Sequence, residues 1–131
     1  MPLELNILKA SVVSVYDGDT ATLAVKWLDL VKQSRVRFAG INAAEITSAD
    51  PVVLARAQAA KDFVVQHLPI GSEVIVQSHV VDNYGRMLGT IYLKKTDTKS
   101  LNQMLIDAGL VDVMSIKKQI SEIKKQIKNE T

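Results

Sequence analysis

The sequence predicts an α+β domain in which a small five-stranded barrel carries three helices on its outside. Three observations predict it. Apolar residues alternate with period two in five separate runs, as strands with one buried face do. The runs are bounded by turns rich in glycine and aspartate. Stretches of helical period, two of them opened by a capping residue, follow the third strand and the fifth, and a last one closes the chain. The resulting order of three strands, helix, two strands, helix, helix fits a closed barrel of the OB type. With 131 residues, 47% of them hydrophobic, the chain is one domain that can form a core without staples.

Residues 7–16 form the first strand, with Val13 and Val15 alternating against Ser14. Asp17-Gly18-Asp19 is a turn, because glycine supplies positive φ and aspartate hydrogen-bonds its own backbone. Residues 20–28 resume the alternation, with Ala21, Leu23, Val25 and Trp27 on one face and Thr20, Thr22 and Lys26 on the other. After a connection over residues 29–34, the third strand is expected over residues 35–41. Asp50 as N-cap and Pro51 as first helical residue open a helix. In it Val53, Leu54, Ala57, Ala60, Phe63, Val64 and Leu68 recur at helical spacing, and Pro69-Ile-Gly71 ends it. Residues 73–81 and 87–93 are the fourth and fifth strands, on either side of the turn Asp82-Asn-Tyr-Gly85. Ser100 caps a helix holding Leu101, Met104, Leu105 and Ala108, which Gly109 closes. Ile116, Ile120, Ile123 and Ile127 then form a narrow heptad stripe between lysines and glutamates. The expected division is a barrel domain over residues 1–114 and a C-terminal amphipathic helix over residues 115–131. That helix packs on the domain or pairs between two chains as a homodimer.

Composition removes several function classes. The absence of cysteine excludes disulfides, thiolate metal sites and thiol catalysis. The first residues carry no basic region ahead of an apolar stretch, so they do not read as a secretory signal. No apolar run approaches the roughly eighteen residues that a membrane span requires. The expectation is a cytoplasmic protein without a membrane partner, secretion staying open should a leader have been removed. The net charge of +2 is uneven. Residues 115–131 hold five lysines against Glu122 and Glu130, whereas eleven basic and twelve acidic residues balance in the rest. Average charge therefore gives no sign of nucleic-acid binding, and phosphate affinity must come from local placement of charge.

Such placement exists in the stretch Arg35-Val-Arg-Phe-Ala-Gly-Ile-Asn-Ala-Ala-Glu45, which runs from a strand through a glycine to a carboxylate. Asp17-Gly-Asp-Thr20 lies upstream and Asp82-Asn-Tyr-Gly-Arg86 downstream, each at the end of an apolar run where a sheet gathers its strand ends. Taken singly these are ordinary turns and solvated charges. Converging on one face, the carboxylates and arginines would suit a metal ion and a phosphate.

Their joint order resembles the staphylococcal nuclease (thermonuclease) family. The matching pieces are Val15-Tyr-Asp-Gly-Asp-Thr20, Val36-Arg-Phe-Ala-Gly-Ile41 followed by Glu45, Asp82-Asn-Tyr-Gly-Arg-Met-Leu88, and Leu101-Asn-Gln-Met-Leu-Ile-Asp-Ala-Gly-Leu110. The resemblance spans about residues 8–113 and implies an OB-like barrel that hydrolyses phosphodiester bonds in DNA or RNA with calcium. By position it makes Asp19 a metal ligand, Arg37 and Arg86 the groups that bind the scissile phosphate, and Glu45 the group that orients or deprotonates water. Tyr84, beside Arg86, is placed to stack on a base. The sequence departs from the family at the centre of the motif. The family reads Gly-Ile/Val-Asp-X-Pro-Glu, whereas Asn42 here stands where a second metal carboxylate belongs and Ala44 replaces the proline. Asn42 keeps a carbonyl oxygen for the metal but no charge, so weak calcium binding and reduced activity are expected. The alternative is an inactive module that binds single-stranded nucleic acid or protein. His67, at a helix end, and His79, in a strand, have no partner motif and read as structural.

Overall fold

A computed structural model describes residues 6–82 and 85–130, with the backbone alone for Ile127, Asn129 and Glu130. Among the described residues seven strands and three helices follow in the order β1 (Ile7–Asp17), β2 (Thr20–Trp27), β3 (Leu30–Phe38), β4 (Ile41–Asn42), α1 (Pro51–His67), β5 (Glu73–Val81), β6 (Met87–Tyr92), α2 (Leu101–Asp107), β7 (Asp112–Val113) and α3 (Ile116–Glu130). Five strands close a barrel in the order β1-β2-β3-β6-β5. All its pairs are antiparallel except β3 with β6, a short parallel seam of Val36 with Met87, Arg37 with Leu88 and Phe38 with Gly89. The fold class is thus the expected one.

The alternation seen in the sequence is what fills the barrel. Ala21, Leu23 and Val25 of β2 are fully buried, as are Val36 and Phe38 of β3 and Val76 of β5. Ala60, Val64 and Leu68 place α1 on this core, while Leu54, expected on the same face, is 40% exposed because the contact falls on the later turns. Asp50 caps α1 through Oδ1, which accepts the Val52 N–H at 2.9 Å, and Ser100 Oγ accepts the Gln103 N–H of α2 at 3.0 Å.

Three local expectations are corrected. The third strand begins at Leu30 rather than Arg35, joined to β2 by the two residues Leu28 and Asp29. Residues 30–33 are exposed, so backbone pairing with β2 holds them and no side-chain period announces them. The strand also stops at Phe38, and Ile41–Asn42 instead pairs with Asp112–Val113 in a separate two-stranded sheet too short to leave a period. Gly18 is not present for positive φ, which it does not adopt. A Cβ there would lie 2.5 Å from the Ala60 Cβ and 3.1 Å from that of Ala43, so the glycine lets α1 sit directly on the β1–β2 turn. Gly18→Ala is therefore expected to force α1 outward and destabilise the domain by about 1–3 kcal/mol, the range for overpacking. A urea midpoint equal to that of the parent protein would show that the helix yields freely.

Candidate active site

Four of the candidate side chains lie where β1 turns into β2, where β3 and β6 run side by side, and where the chain leaves β3. Asp19 stands at the tip of the β1–β2 hairpin, 7% exposed. Its Oδ1 accepts the Thr20 hydroxyl at 3.0 Å, and its Oδ2 accepts the Ala43 N–H at 2.8 Å. The same Oδ2 is 3.3 Å from Arg37 Nη2. Arg37 also donates from Nη2 to Asn42 Oδ1 at 3.2 Å and from Nη1 to the Phe38 carbonyl at 3.0 Å. Asp19, Arg37 and Asn42, spread over 24 residues of sequence, thus meet at one guanidinium nitrogen. Burial pushes the Asp17 carboxyl up to about 6; the Asp19 N–H that it accepts at 3.0 Å pulls it back, and the neighbouring Asp19 carboxylate adds to the rise.

Arg86 reaches the same region through the parallel seam. It immediately precedes β6, whose Leu88 pairs with Arg37. Asp82, almost fully buried, holds it by accepting from both its backbone N–H, at 3.0 Å, and its side-chain Nε. Arg37 and Arg86 line one cleft of about 170 Å³ together with Asp82, Met87 and two α3 residues, Ile123 and Gln126. An adjoining hollow of about 150 Å³ is lined by Arg37, Leu88, Met114 and residues of α3 including Glu122. The C-terminal helix is therefore one wall of the arginine cleft.

Glu45 is not drawn into this cluster. It lies exposed in irregular chain after β4, with no ion pair or hydrogen bond to its carboxylate among the described residues. Tyr84 lies outside the described residues. Arg35, next but one to Arg37, faces elsewhere and stacks on Tyr16, its guanidinium carbon 4.8 Å from the ring centroid. The histidines are occupied away from the site: His67 Nδ1 meets the Phe63 carbonyl and His79 Nε2 meets the Thr90 hydroxyl, both at 2.8 Å.

Asp82, one of the carboxylates expected at the strand ends, serves as the partner of Arg86 within the same turn. One further residue, Gln119, belongs to none of the motifs. Gln119 is 5% exposed and bonds the chain just before Asn42; its signal is a polar residue set between Ile116 and Ile123 on the apolar side of a helix. The expected isoleucine stripe is covered less completely, with Ile116 36% exposed.

The oxygens present are of the kind a hard cation takes. Asp19 Oδ2 and Asn42 Oδ1 each lie within 3.3 Å of the same nitrogen, so they converge on one point, now shared with the Arg37 guanidinium. They supply a single negative charge, and among the described residues no group of three acidic, histidine or cysteine side chains is disposed to hold a metal. The donor set fits calcium in type and is short in charge. No helix among the described residues is long and apolar enough to cross a membrane.

Comparison with curated proteins finds no match. A family model described as staphylococcal nuclease homologue matches residues 35–131. That match takes in Arg37, Asn42, Glu45, Arg86 and the whole of α3, and leaves out β1, β2 and Asp19. The motif resemblance carries Asp17-Gly-Asp-Thr20 instead, and the contact of Asp19 with Arg37 joins the two parts in space. With a five-stranded closed barrel, a cleft bearing two arginines at the parallel seam and a family match over most of its length, the chain belongs to the staphylococcal nuclease homologues.

Proposed function

We propose that the protein is a calcium-dependent nuclease that hydrolyses phosphodiester bonds in DNA or RNA, with activity reduced by Asn42 and Ala44. The observation that carries this reading is the shared cleft of Arg37 and Arg86, brought together by adjacent strands beside Asp19 and Asn42. Guanidinium groups match phosphate oxygens with parallel hydrogen bonds and keep their charge, so two of them facing one cleft suit a phosphodiester.

Asp19 and Asn42 would hold the calcium ion, which when bound supplies Lewis-acid charge at a phosphoryl oxygen. Arg37 and Arg86 bind the non-bridging oxygens and stabilise the charge that grows on them in the transition state. Glu45, whose carboxylate has no competing partner among the described residues, accepts the proton of the attacking water. The water oxygen forms the new bond to phosphorus, the bond to the departing sugar oxygen breaks, that oxygen takes a proton from solvent, and Glu45 returns its proton to solvent. Tyr84 stacks on a neighbouring base.

The first test is calcium titration by calorimetry, with and without a nucleoside bisphosphate, on this protein and on Asn42→Asp. The variant adds a charged ligand and is expected to bind calcium about tenfold more tightly or better, and to cleave single-stranded DNA faster. Failure of both proteins to take up calcium, or to cut the strand, would overturn the reading.

A second reading is a binding module without catalysis. It is favoured by the carboxylate partners that both arginines already have, Asp19 for Arg37 and Asp82 for Arg86, and by the low ligand charge. It predicts that single strands are bound equally well without calcium and remain intact under every divalent ion.

A further inference from the structure

Gln119 joins the C-terminal helix to the chain that carries the motif. Its Oε1 accepts the Gly40 N–H at 2.7 Å, and its Nε2 donates to the Ile41 carbonyl at 3.5 Å, the weaker of the two bonds. The Gly40 carbonyl in turn accepts the Met114 N–H at 2.8 Å. Gly40 takes φ +80, and a Cβ there would sit 3.4 Å from Ile116 Cγ1, so the turn lies alongside the first residue of α3. Asn42, two residues on, places its Oδ1 against Arg37. Between Asn42 and Glu45 stand only Ala43 and Ala44, and no proline stiffens the path. A buried amide bonded to backbone 79 positions away restricts that backbone far more than a surface contact does.

We propose that Gln119 is a positioning residue for phosphodiester cleavage. By fixing the turn over residues 40–42 it keeps Asn42 against Arg37 and sets the starting point of the short run to Glu45. The proposal rests on the nuclease reading above. It assigns the C-terminal helix a part in the geometry of the site, beyond forming a wall of the cleft. The bridge of Ile41 with Val113 and Asn42 with Asp112 survives loss of the glutamine, so the turn is expected to loosen without unfolding.

The test compares Gln119→Met, close in length but without hydrogen bonds, with Gln119→Glu, which restores an acceptor for the Gly40 N–H. Circular dichroism first establishes that both are folded. Gln119→Met is expected to lower kcat on a single-stranded oligonucleotide by about 10- to 100-fold, since displacement of about an ångström has that effect, with KM changed less than about threefold. In the absence of substrate and metal it is also expected to speed amide exchange at Gly40 and to move the side-chain amide resonances of Asn42. Gln119→Glu is expected to return kcat and resonances most of the way. Wild-type kcat in Gln119→Met, or Asn42 resonances that do not move, would overturn the proposal. Should the parent protein fail to cleave at all, the nuclease reading falls. The exchange and resonance measurements then decide separately whether Gln119 holds the turn.

Discussion

Arg37→Ala is expected to lower the turnover of single-stranded DNA by about a hundred- to a thousandfold, the usual consequence of removing one preorganised donor from a developing oxyanion. The same substitution is expected to raise calcium affinity. Arg37 Nη2 now stands between the two oxygens assigned to the ion, 3.3 Å from Asp19 Oδ2 and 3.2 Å from Asn42 Oδ1, and a guanidinium there opposes a second cation. Asp19 keeps the Ala43 N–H and the Thr20 hydroxyl when the arginine is gone, so the hairpin tip remains in place. Opposite signs in binding and turnover separate a catalytic role from a structural one, because loss of structure lowers both. Single-turnover cleavage and calcium calorimetry read the two effects. Turnover within threefold of the parent would remove Arg37 from the chemistry. Arg37→Lys keeps the charge without the fork and is expected to recover only a small part of the rate.

Asn102→Ala has the largest expected effect on stability. Asn102 is 4% exposed and spends its amide on three backbone groups: Oδ1 accepts the Ile91 N–H at 3.0 Å, and Nδ2 donates to the Ala39 carbonyl at 2.8 Å and the Gly89 carbonyl at 3.2 Å. Ala39 follows β3, and Gly89 and Ile91 belong to β6, so one side chain from α2 closes the end of the parallel seam. Truncation takes this partner from the Ile91 N–H and the Ala39 carbonyl, each costing about 1–3 kcal/mol, while the Gly89 carbonyl keeps the Ala39 N–H at 2.8 Å, and a total of about 3–5 kcal/mol is expected. For a domain of this size that lowers Tm by about 10–15 °C. The urea midpoint should fall with little change in slope, since the same surface is exposed on unfolding. A fall in Tm under about 3 °C would show that the seam closes without this residue.

How much was legible can be followed along β2 and β3. In β2 every inward residue is apolar and most outward ones are polar, so the alternation states the strand and its buried face at once. The first four residues of β3 are exposed, and the same rule is silent there because neither face meets a core. Gly18 shows a different limit. Its place in a turn was legible, but its reason is the Cβ of Ala60, a residue of another element that sequence neighbours do not mention. α3 shows a third: the isoleucine stripe indicated an apolar face, whereas the residue buried most deeply among those described is the glutamine within it.

The amino-acid sequence by itself determined the order of the five barrel strands and three helices, the capping of α1 and α2, the barrel class and the set of polar residues at strand ends. These follow from local rules of period, turn chemistry and capping that act over a few residues. Only the tertiary structure decided which of those residues meet. Closure of the barrel through the β3–β6 seam brings Arg37 and Arg86 to one cleft, the β1–β2 turn carries Asp19 to Arg37, and α3 returns over the site to hold the turn before Asn42. Contacts between residues tens of positions apart depend on how whole elements pack, and no local period in the sequence records that packing.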